Sequence, residues 1–522
     1  MDISRVMGQR AQPVGRLTRS REALLALSAV ILPAIVYLRT MPPTVYGLDS
    51  AELSVGAYAL GLVHAPGYPL YLLLGKLFTF LPVGDVGFRL NLMSAVFGIV
   101  TILLVYVIAR RLTGQPLAAL AAALFLAFSW YFWTDAIIAE VYTLQAAFTT
   151  GLLWLLLVWR ERREPALRPA LRPGSGLPSS GAKGQGSAQG WLCGFAFLAG
   201  LSFANYPATG LIAPGLAVFV WLTDRQVLLN PRRLATVAGF FALGLLIYLY
   251  LPLRYLAQPG FNYMGRYDAD GIFHAANLTN PATLWWMLSG GPFKGLMFGY
   301  GLGEVIRQAG QFVYFLWGNF LAVGLPLGLV GIIRGWQRDP TVAISTGLMY
   351  LMYTLFFINY RVVDKYTMFL PSYVLWVLWI AWGYEALIEW MGTAWRPALQ
   401  ATYLAIAIIA LFVNFRLADV SWDRRAYDNA AEMLAVVEPD ALILGDWGYA
   451  APIAYLQLVE DRRPDATVIN RFFISFEDMR QLIDQAIESR PVYIVSVEPD
   501  RTMERLYDLE AAGRGFRIVS RK

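Results

Sequence analysis

Long apolar runs alternate with short polar breaks over most of the chain, and the length of those runs predicts how they fold. A helix needs roughly 20 apolar residues to cross the hydrocarbon core of a bilayer. Runs of that kind lie at 22–40, 89–109, 115–133, 137–159, 191–206, 208–223, 234–256, 311–333, 341–359, 368–391 and 398–416. They predict about eleven transmembrane helices. The pair at 191–223 is separated only by Asn205-Tyr206-Pro207. The stretch Tyr68–Leu81 is apolar but short, carries Lys76 and ends at Pro82. It predicts a re-entrant or interfacial helix. Beyond 417 the period changes. Strand-like runs at 441–445, 466–470, 491–497 and 516–519 alternate with helical patterns near 425–437, 449–460, 476–489 and 502–512. That alternation predicts a soluble C-terminal α/β domain with a largely parallel sheet. The expected fold is a polytopic α-helical membrane protein carrying this domain.

Composition removes the soluble alternatives. Hydrophobic residues make up 57% of the chain and charged residues 15%, against about 25% charged in soluble proteins. A single cysteine, Cys193, excludes an internal disulfide scaffold. The net charge of +6 matters less than its distribution. One set of alternate loops holds Arg5, Arg10, Arg16, Arg19 and Arg21, then Arg110 and Arg111, then Arg160, Arg162, Arg163, Arg168, Arg172 and Lys183. It continues with Arg225, Arg232 and Arg233, then Arg334 and Arg338, then Arg396. The other set is poor in Lys and Arg despite long loops at 41–88 and 257–310. The positive-inside rule places the N-terminus and the first set in the cytoplasm. The basic charge thus reads as topology and calls for no nucleic acid.

The expected layout follows. Residues 1–21 form a cytoplasmic tail and 22–416 a transmembrane domain in the plasma membrane. Its first external loop is 41–88, a flexible cytoplasmic loop rich in Pro, Gly, Ser and Ala is 160–190, and a second external loop is 257–310. An odd number of spans leaves 417–522 external or periplasmic. The flank Thr40-Met41-Pro42-Pro43 lacks a small-x-small cleavage pattern, so the first span reads as a retained anchor. No internal repeat is visible, which weighs against an inverted-repeat transporter.

Candidate chemistry concentrates at 46–94. Asp49 and Glu52 stand three residues apart at the start of a helical pattern, on one helix face. They are either a helix cap favoured by the dipole or a functional carboxylate pair. His64-Ala65-Pro66-Gly67-Tyr68-Pro69 is a rigid turn. His64 beside it can hold a phosphate, orient a carboxylate, or simply satisfy a local hydrogen bond. Arg89, Asn91 and Ser94 open the second span. Arg89 either pairs with a lipid phosphate or snorkels to the interface. A second cluster runs from Ser129 to Tyr142. It contains Asp135 and places Glu140 inside an apolar span, where an ionisable group is costly and either functional or packed through an interhelical hydrogen bond. Arg254 and Lys365 are further cations near span ends. Gly445-Asp446-Trp447-Gly448 reads as a plain strand-to-helix turn. Asn277-Leu278-Thr279 matches a glycosylation sequon. No compact metal-ligand cluster appears, and the histidines are His64 and His274; the many acids leave room for a divalent metal without specifying one.

Taken in order, D-S-x-E-L, H-A-P-G-Y-P-L-Y, R-L-N-L-M-S and F-W-x-x-x-x-x-A-E-V-Y-T-L resemble a bacterial family of membrane proteins related to the transmembrane O-mannosyltransferases of the GT-C glycosyltransferase superfamily. G-L-S-F-A-N-Y at 200–206, Y-L-P-L-R at 250–254 and D-K-Y-T-M-F-L-P-S-Y at 364–373 fit as well. The resemblance covers most of 40–390 and departs at Ala65, where the family has proline, and at Tyr206, where it has histidine. It implies a GT-C-like fold and an inverting glycosyltransferase. The expected donor is a polyprenyl-phosphate-linked sugar, mannose by analogy, and the acceptor a protein, glycan or lipid hydroxyl. By motif position Asp49 is the expected base, with Glu52 as second carboxylate. His64, Arg89, Arg254 and Lys365 would bind the donor phosphate. Asp135, Glu140, Tyr142, Tyr68 and Asn91 would position acceptor or sugar. A transporter or lipid flippase using the same carboxylates as a relay, and a membrane scaffold displaying the α/β domain, are the competing readings.

Overall fold

The structure, a computed structural model, describes residues 16–167, 181–362, 364–496 and 501–522. Arg5, Arg10, Arg168 and Arg172, and the middle of the loop expected at 160–190, lie outside the described residues. The chain opens with α1 (Arg16–Thr40), α2 (Asp49–Ala59), α3 (Pro69–Phe78), α4 (Val86–Thr113), α5 (Pro116–Ala127), α6 (Trp130–Ala136), α7 (Tyr142–Leu167) and α8 (Gly181–Asn205). Because α7 and α8 extend to Leu167 and from Gly181, the expected flexible loop is narrower than 160–190.

Among the described residues, seven helices are long and apolar enough to cross a membrane, and two further bent pairs qualify together. The chain is a multi-pass membrane protein. Three expected spans differ in form. The run 115–133 is α5 and α6, bent by 68°. The run 311–333 is two helices, Leu302–Asn319 and Gly324–Arg338, bent by 101°. There Leu321 and Ala322 take left-handed backbone, which no continuous helix allows. The run 208–223 is a 3₁₀ turn, Pro207–Leu211, and a short helix, Ala213–Asp224.

The helix after the second bend packs closely on a neighbour. Gly324, Gly328, Gly331 and Gly335 form a small-residue stripe buried against the helix Leu370–Met391. A Cβ on Gly331 would lie 1.7 Å from the Trp379 carbonyl oxygen, so only glycine permits this approach. The core of the membrane body is α5, buried from Ala118 to Ala127, and the first two-thirds of Leu370–Met391. Basic residues at helix ends are largely paired, as in Arg110–Glu22 at 2.7 Å, Arg160–Asp339 at 2.5 Å and Arg163–Asp224 at 2.8 Å.

After a small antiparallel hairpin, β1 (Gly265–Tyr267) with β2 (Phe273–Ala275), the remaining strands form one sheet. They are β3 (Leu442–Gly445), β4 (Thr467–Asn470), β5 (Val492–Val495), β6 (Tyr507–Ala512) and β7 (Gly515–Arg521), in the order β4-β3-β5-β7-β6. β3 runs parallel to β4 and β5, but β7 is antiparallel to β5 and β6. The sheet is therefore mixed rather than largely parallel. The helix expected over 502–512 stops at Leu506, and Tyr507–Ala512 pairs as a strand. Gly513, at φ 56°, supplies the tight turn of that hairpin; cross-strand pairing overrides the helical preference of Leu509-Glu510-Ala511-Ala512. The helix Phe476–Ala486 starts where the Ser475 side chain accepts from the Asp478 N–H. Its buried stripe of Met479, Leu482, Ile483 and Ala486 packs on Leu444, Ile469 and Ile494 of the sheet.

Candidate active site

α2 begins immediately after Leu48, which holds φ 56°. Leu48 is the cap position and makes no side-chain cap bond. Asp49 and Glu52 therefore occupy the first turn without capping it. Glu52 is fully buried and bends toward the turn at His64. Its two oxygens accept from the His64 backbone N–H at 2.5 Å and bond Nδ1 of the same residue at 2.8 Å. Nε2 then faces the Tyr68 hydroxyl at 3.1 Å and the Asp49 carboxylate at 3.9 Å. Gly67 makes this turn possible. It sits at φ 92°, and a Cβ there would meet Met264 at 2.5 Å and Leu251 at 2.8 Å.

The electrostatics follow from this geometry. Burial opposes the charge on His64, but the Glu52 and Asp49 carboxylates override it and raise its pKa to about 9. His64 is thus an imidazolium at neutral pH. Asp49 keeps 33% of its side chain accessible. Its pKa is raised by burial of its surroundings; His64 lowers it, Glu52 raises it and the Trp447 N–H lowers it. Asp49 is then a carboxylate more basic than usual, facing open space and backed by a cation. The ligand atoms of Asp49, Glu52 and His64 lie within 4.8 Å of one another. The fold thus assembles a trio that can hold a metal ion, where the sequence spacing shows no compact set.

Other candidates divide into those that join this centre and those that brace it. Tyr68 contacts Tyr206 at 6.1 Å between ring centroids, and Tyr206 contacts Tyr142 at 5.8 Å. Three tyrosines thus line one side. Glu140 falls in the break between α6 and α7, not inside a span as expected. Ser94 donates to its carbonyl at 3.3 Å and accepts from its N–H at 3.1 Å. Asp135 is 1% exposed, and its Oδ2 has no hydrogen-bond partner among the described residues. Asn91 is a brace. It donates to the Pro42 and Thr44 carbonyls at 3.3 and 3.0 Å, and accepts from the Ala139 N–H at 2.9 Å. It ties the first loop to the segment that carries Glu140.

Three of the four expected phosphate cations are engaged elsewhere. Arg89 donates to the carbonyls of Val83, Thr79 and Gly84 at 2.8, 2.7 and 2.9 Å, clasping the turn before α4. Arg254 donates to the Leu60 carbonyl at 2.6 Å. Lys365 is buried, donates to the Tyr360 carbonyl at 3.3 Å and lies 5.1 Å from the Tyr300 ring centre. Among the described residues, His64 is the cation that pairs with the site carboxylates.

Three residues escaped the sequence reading. Asp364, the neighbour of Lys365, is electrostatically coupled to Asp49 and His64. Burial, first, and Asp49 raise its pKa, against its own backbone and His64. It was legible as the acid of the D-K-Y-T segment. Phe293, from the second long loop, stands edge-on to His64 at 6.1 Å. Trp447 stands edge-on to His64 at 5.2 Å and comes from the C-terminal sheet unit. Its helix, Trp447–Glu460, packs on α2, and the buried Tyr455 hydroxyl accepts from the Gly87 N–H at 3.1 Å. The available signal was its place at the carboxyl end of a parallel strand, where open α/β sheets bind ligands.

With this geometry established, comparison with known proteins places the chain. Residues 49–229 match the family described as protein O-mannosyl-transferase TMEM260 N-terminal domain. The chain is 26% identical over 481 residues to protein O-mannosyl-transferase TMEM260 of Mus musculus, covering 85% of this chain and 62% of that protein. It is 23% identical over 486 residues to the Dictyostelium discoideum protein of the same name, covering 85% and 56%. The chain spans about three-fifths of the length of these relatives. Among solved structures, ArnT from Cupriavidus metallidurans bound to undecaprenyl phosphate aligns with TM-score 0.59 and 12% identity, covering 96% of this chain and 98% of that one. Its apo form gives 0.56 and 13%, with the same coverage. Sequence similarity relates the chain to proteins described as protein O-mannosyl-transferases, and its fold is GT-C-like.

Proposed function

We propose that the protein is an integral-membrane glycosyltransferase. It transfers a sugar from a polyprenyl-phosphate-linked donor to an acceptor hydroxyl, with inversion, on the non-cytoplasmic face of the plasma membrane. The observation that carries this reading is the Asp49–His64–Glu52 arrangement: an accessible, basic carboxylate held beside an imidazolium that a fully buried carboxylate fixes in place. The relatives' description as protein O-mannosyl-transferases supports a protein acceptor and mannose. The undecaprenyl phosphate bound to ArnT supports a lipid-linked donor.

In this mechanism the acceptor oxygen attacks the anomeric carbon as Asp49 takes its proton. The bond from that carbon to the phosphate oxygen breaks, and the lipid phosphate leaves with the electron pair. Charge developing on the phosphate needs a fixed donor. His64 is the cation nearest to Asp49 that can supply one; Arg89, Arg254 and Lys365 serve only if they exchange their carbonyl partners for phosphate. Tyr68, Tyr142 and Tyr206 offer hydroxyls to sugar or acceptor, and Glu140, Asp135 and Asp364 complete the acidic wall. The N-terminus is then cytoplasmic and the sheet unit lies on the side of the site. The test is transfer from a polyprenyl-phosphate sugar by the purified full chain. Transfer that Asp49→Asn removes supports the reading; uptake of label without donor turnover replaces it with transport.

A further inference from the structure

Trp447 faces two ways. One edge meets His64, and the same side chain lines a cavity of about 330 Å³ in the sheet unit. The other walls are Phe472, Ile474, Phe476 and Met479, together with the Arg471–Asp446 pair at 3.2 Å. The cavity opens where the chain leaves β3 and β4, beyond their carboxyl ends. Phe472 stands edge-on to Trp447 at 5.1 Å, so an aromatic path runs from the cavity mouth to His64. Phe472 and Phe476 remain 60% and 47% exposed, which is costly on a soluble surface unless something covers them.

We infer that this cavity is the docking groove for a polypeptide acceptor, which it holds by apolar side chains so that a nearby Ser or Thr hydroxyl reaches Asp49. The inference rests on the glycosyltransferase reading with a protein acceptor and adds to it the place where that acceptor docks. Chemistry selects the occupant. A glycan needs many directed polar groups around its hydroxyls, whereas here one ion pair stands among five apolar walls. Aromatic walls with a guanidinium beside them suit apolar side chains and a peptide backbone. The groove also belongs to the sheet unit, not to a membrane helix, so it receives an acceptor from water while a lipid-linked donor arrives from the bilayer.

The test uses the purified full chain with polyprenyl-phosphate mannose as donor. The acceptors are a Ser/Thr peptide with apolar residues flanking the hydroxyl and, separately, an oligosaccharide. The double substitution Phe472→Ser and Phe476→Ser, on exposed side chains outside the catalytic cluster, raises the peptide KM about tenfold. Its kcat, donor KM and melting temperature stay near the parent's. An unchanged peptide KM overturns the inference, and a raised KM for the oligosaccharide alone replaces it with a glycan groove. Binding of a fluorescently labelled peptide is measured in parallel without donor. Should the parent protein transfer nothing, the glycosyltransferase reading fails, yet peptide binding lost in the double variant still upholds the groove and equal binding still overturns it.

Discussion

The same residue types behave in opposite ways in the two halves of this molecule. In the C-terminal sheet unit, Asp465 receives the Arg463 guanidinium at 2.8 and 2.9 Å, and those hydrogen bonds hold its carboxyl well below the usual range. Glu432 and Asp484 are also paired with arginine, to Arg514 at 2.8 Å and Arg521 at 3.1 Å. In the membrane body, no Lys or Arg among the described residues forms an ion pair with Asp49, Glu52, Asp135, Glu140 or Asp364. Exposed acids in the sheet unit thus find arginine partners. Asp49 and Glu52 share His64, and Asp49 and Asp364 are pushed upward instead. A carboxylate kept away from arginine in a poorly solvated place can still take a proton near neutral pH.

The contrast can be broken at several points. Asp49→Asn carries the largest expected effect: transfer falls by about 10²–10⁴-fold, the range for loss of a general base, while size-exclusion behaviour and melting are retained. Undiminished transfer would remove Asp49 from the mechanism. Next comes His64→Gln, which leaves the fully buried Glu52 without its charged partner. That should cost about 3–5 kcal/mol of stability, read as a lowered unfolding midpoint, and Glu52→Gln in the same chain should recover much of it. Trp447→Ala should lower kcat/KM about tenfold through lost wall contacts, and a change no greater than Phe472→Ser alone gives would separate the sheet unit from the catalytic centre.

The pH dependence is a finer probe. His64 binds its proton more tightly in the folded chain, near 9, than its ordinary value of 6.5. The stabilisation this pairing gives is therefore complete below about 6.5 and lost as pH rises through about 9. Melting temperature should fall across that window in the parent and stay flatter in His64→Gln. The smallest effect belongs to the sheet unit. Arg514→Gln removes an exposed pair with Glu432 that solvent already screens, and should leave transfer unchanged and melting little altered. A large loss there would erase the distinction between the two halves.

The aromatic and acidic residues show unevenly how much was legible in advance. The first-loop cluster was readable because Asp49, Glu52 and His64 lie within 16 positions of one another in a polar-poor chain. Asn91 was singled out for sugar positioning, and its side chain is instead spent on three backbone groups of the first loop and the 137–141 break. The cations were chosen by charge and position near span ends. Carbonyls left free at turns and helix ends are strong acceptors that compete for the same guanidinium, and Arg89 and Arg254 show that competition won. The bend at Leu321 and Ala322 was invisible because hydropathy continues across it.

By itself the sequence determined the membrane class, the sites of most helices and the α/β character of the tail, since these follow from apolar run length and local period. It also marked the first loop as the place of the candidate chemistry. Tertiary structure alone decided which acids meet, that His64 is their shared cation, that Trp447 enters from nearly 400 residues downstream, and that the last two strands pair antiparallel to β5. The reason is the range of the forces. Period and hydropathy are properties of neighbouring residues, whereas a raised pKa, a shared hydrogen bond and a ring contact belong to groups that only the packed chain brings together.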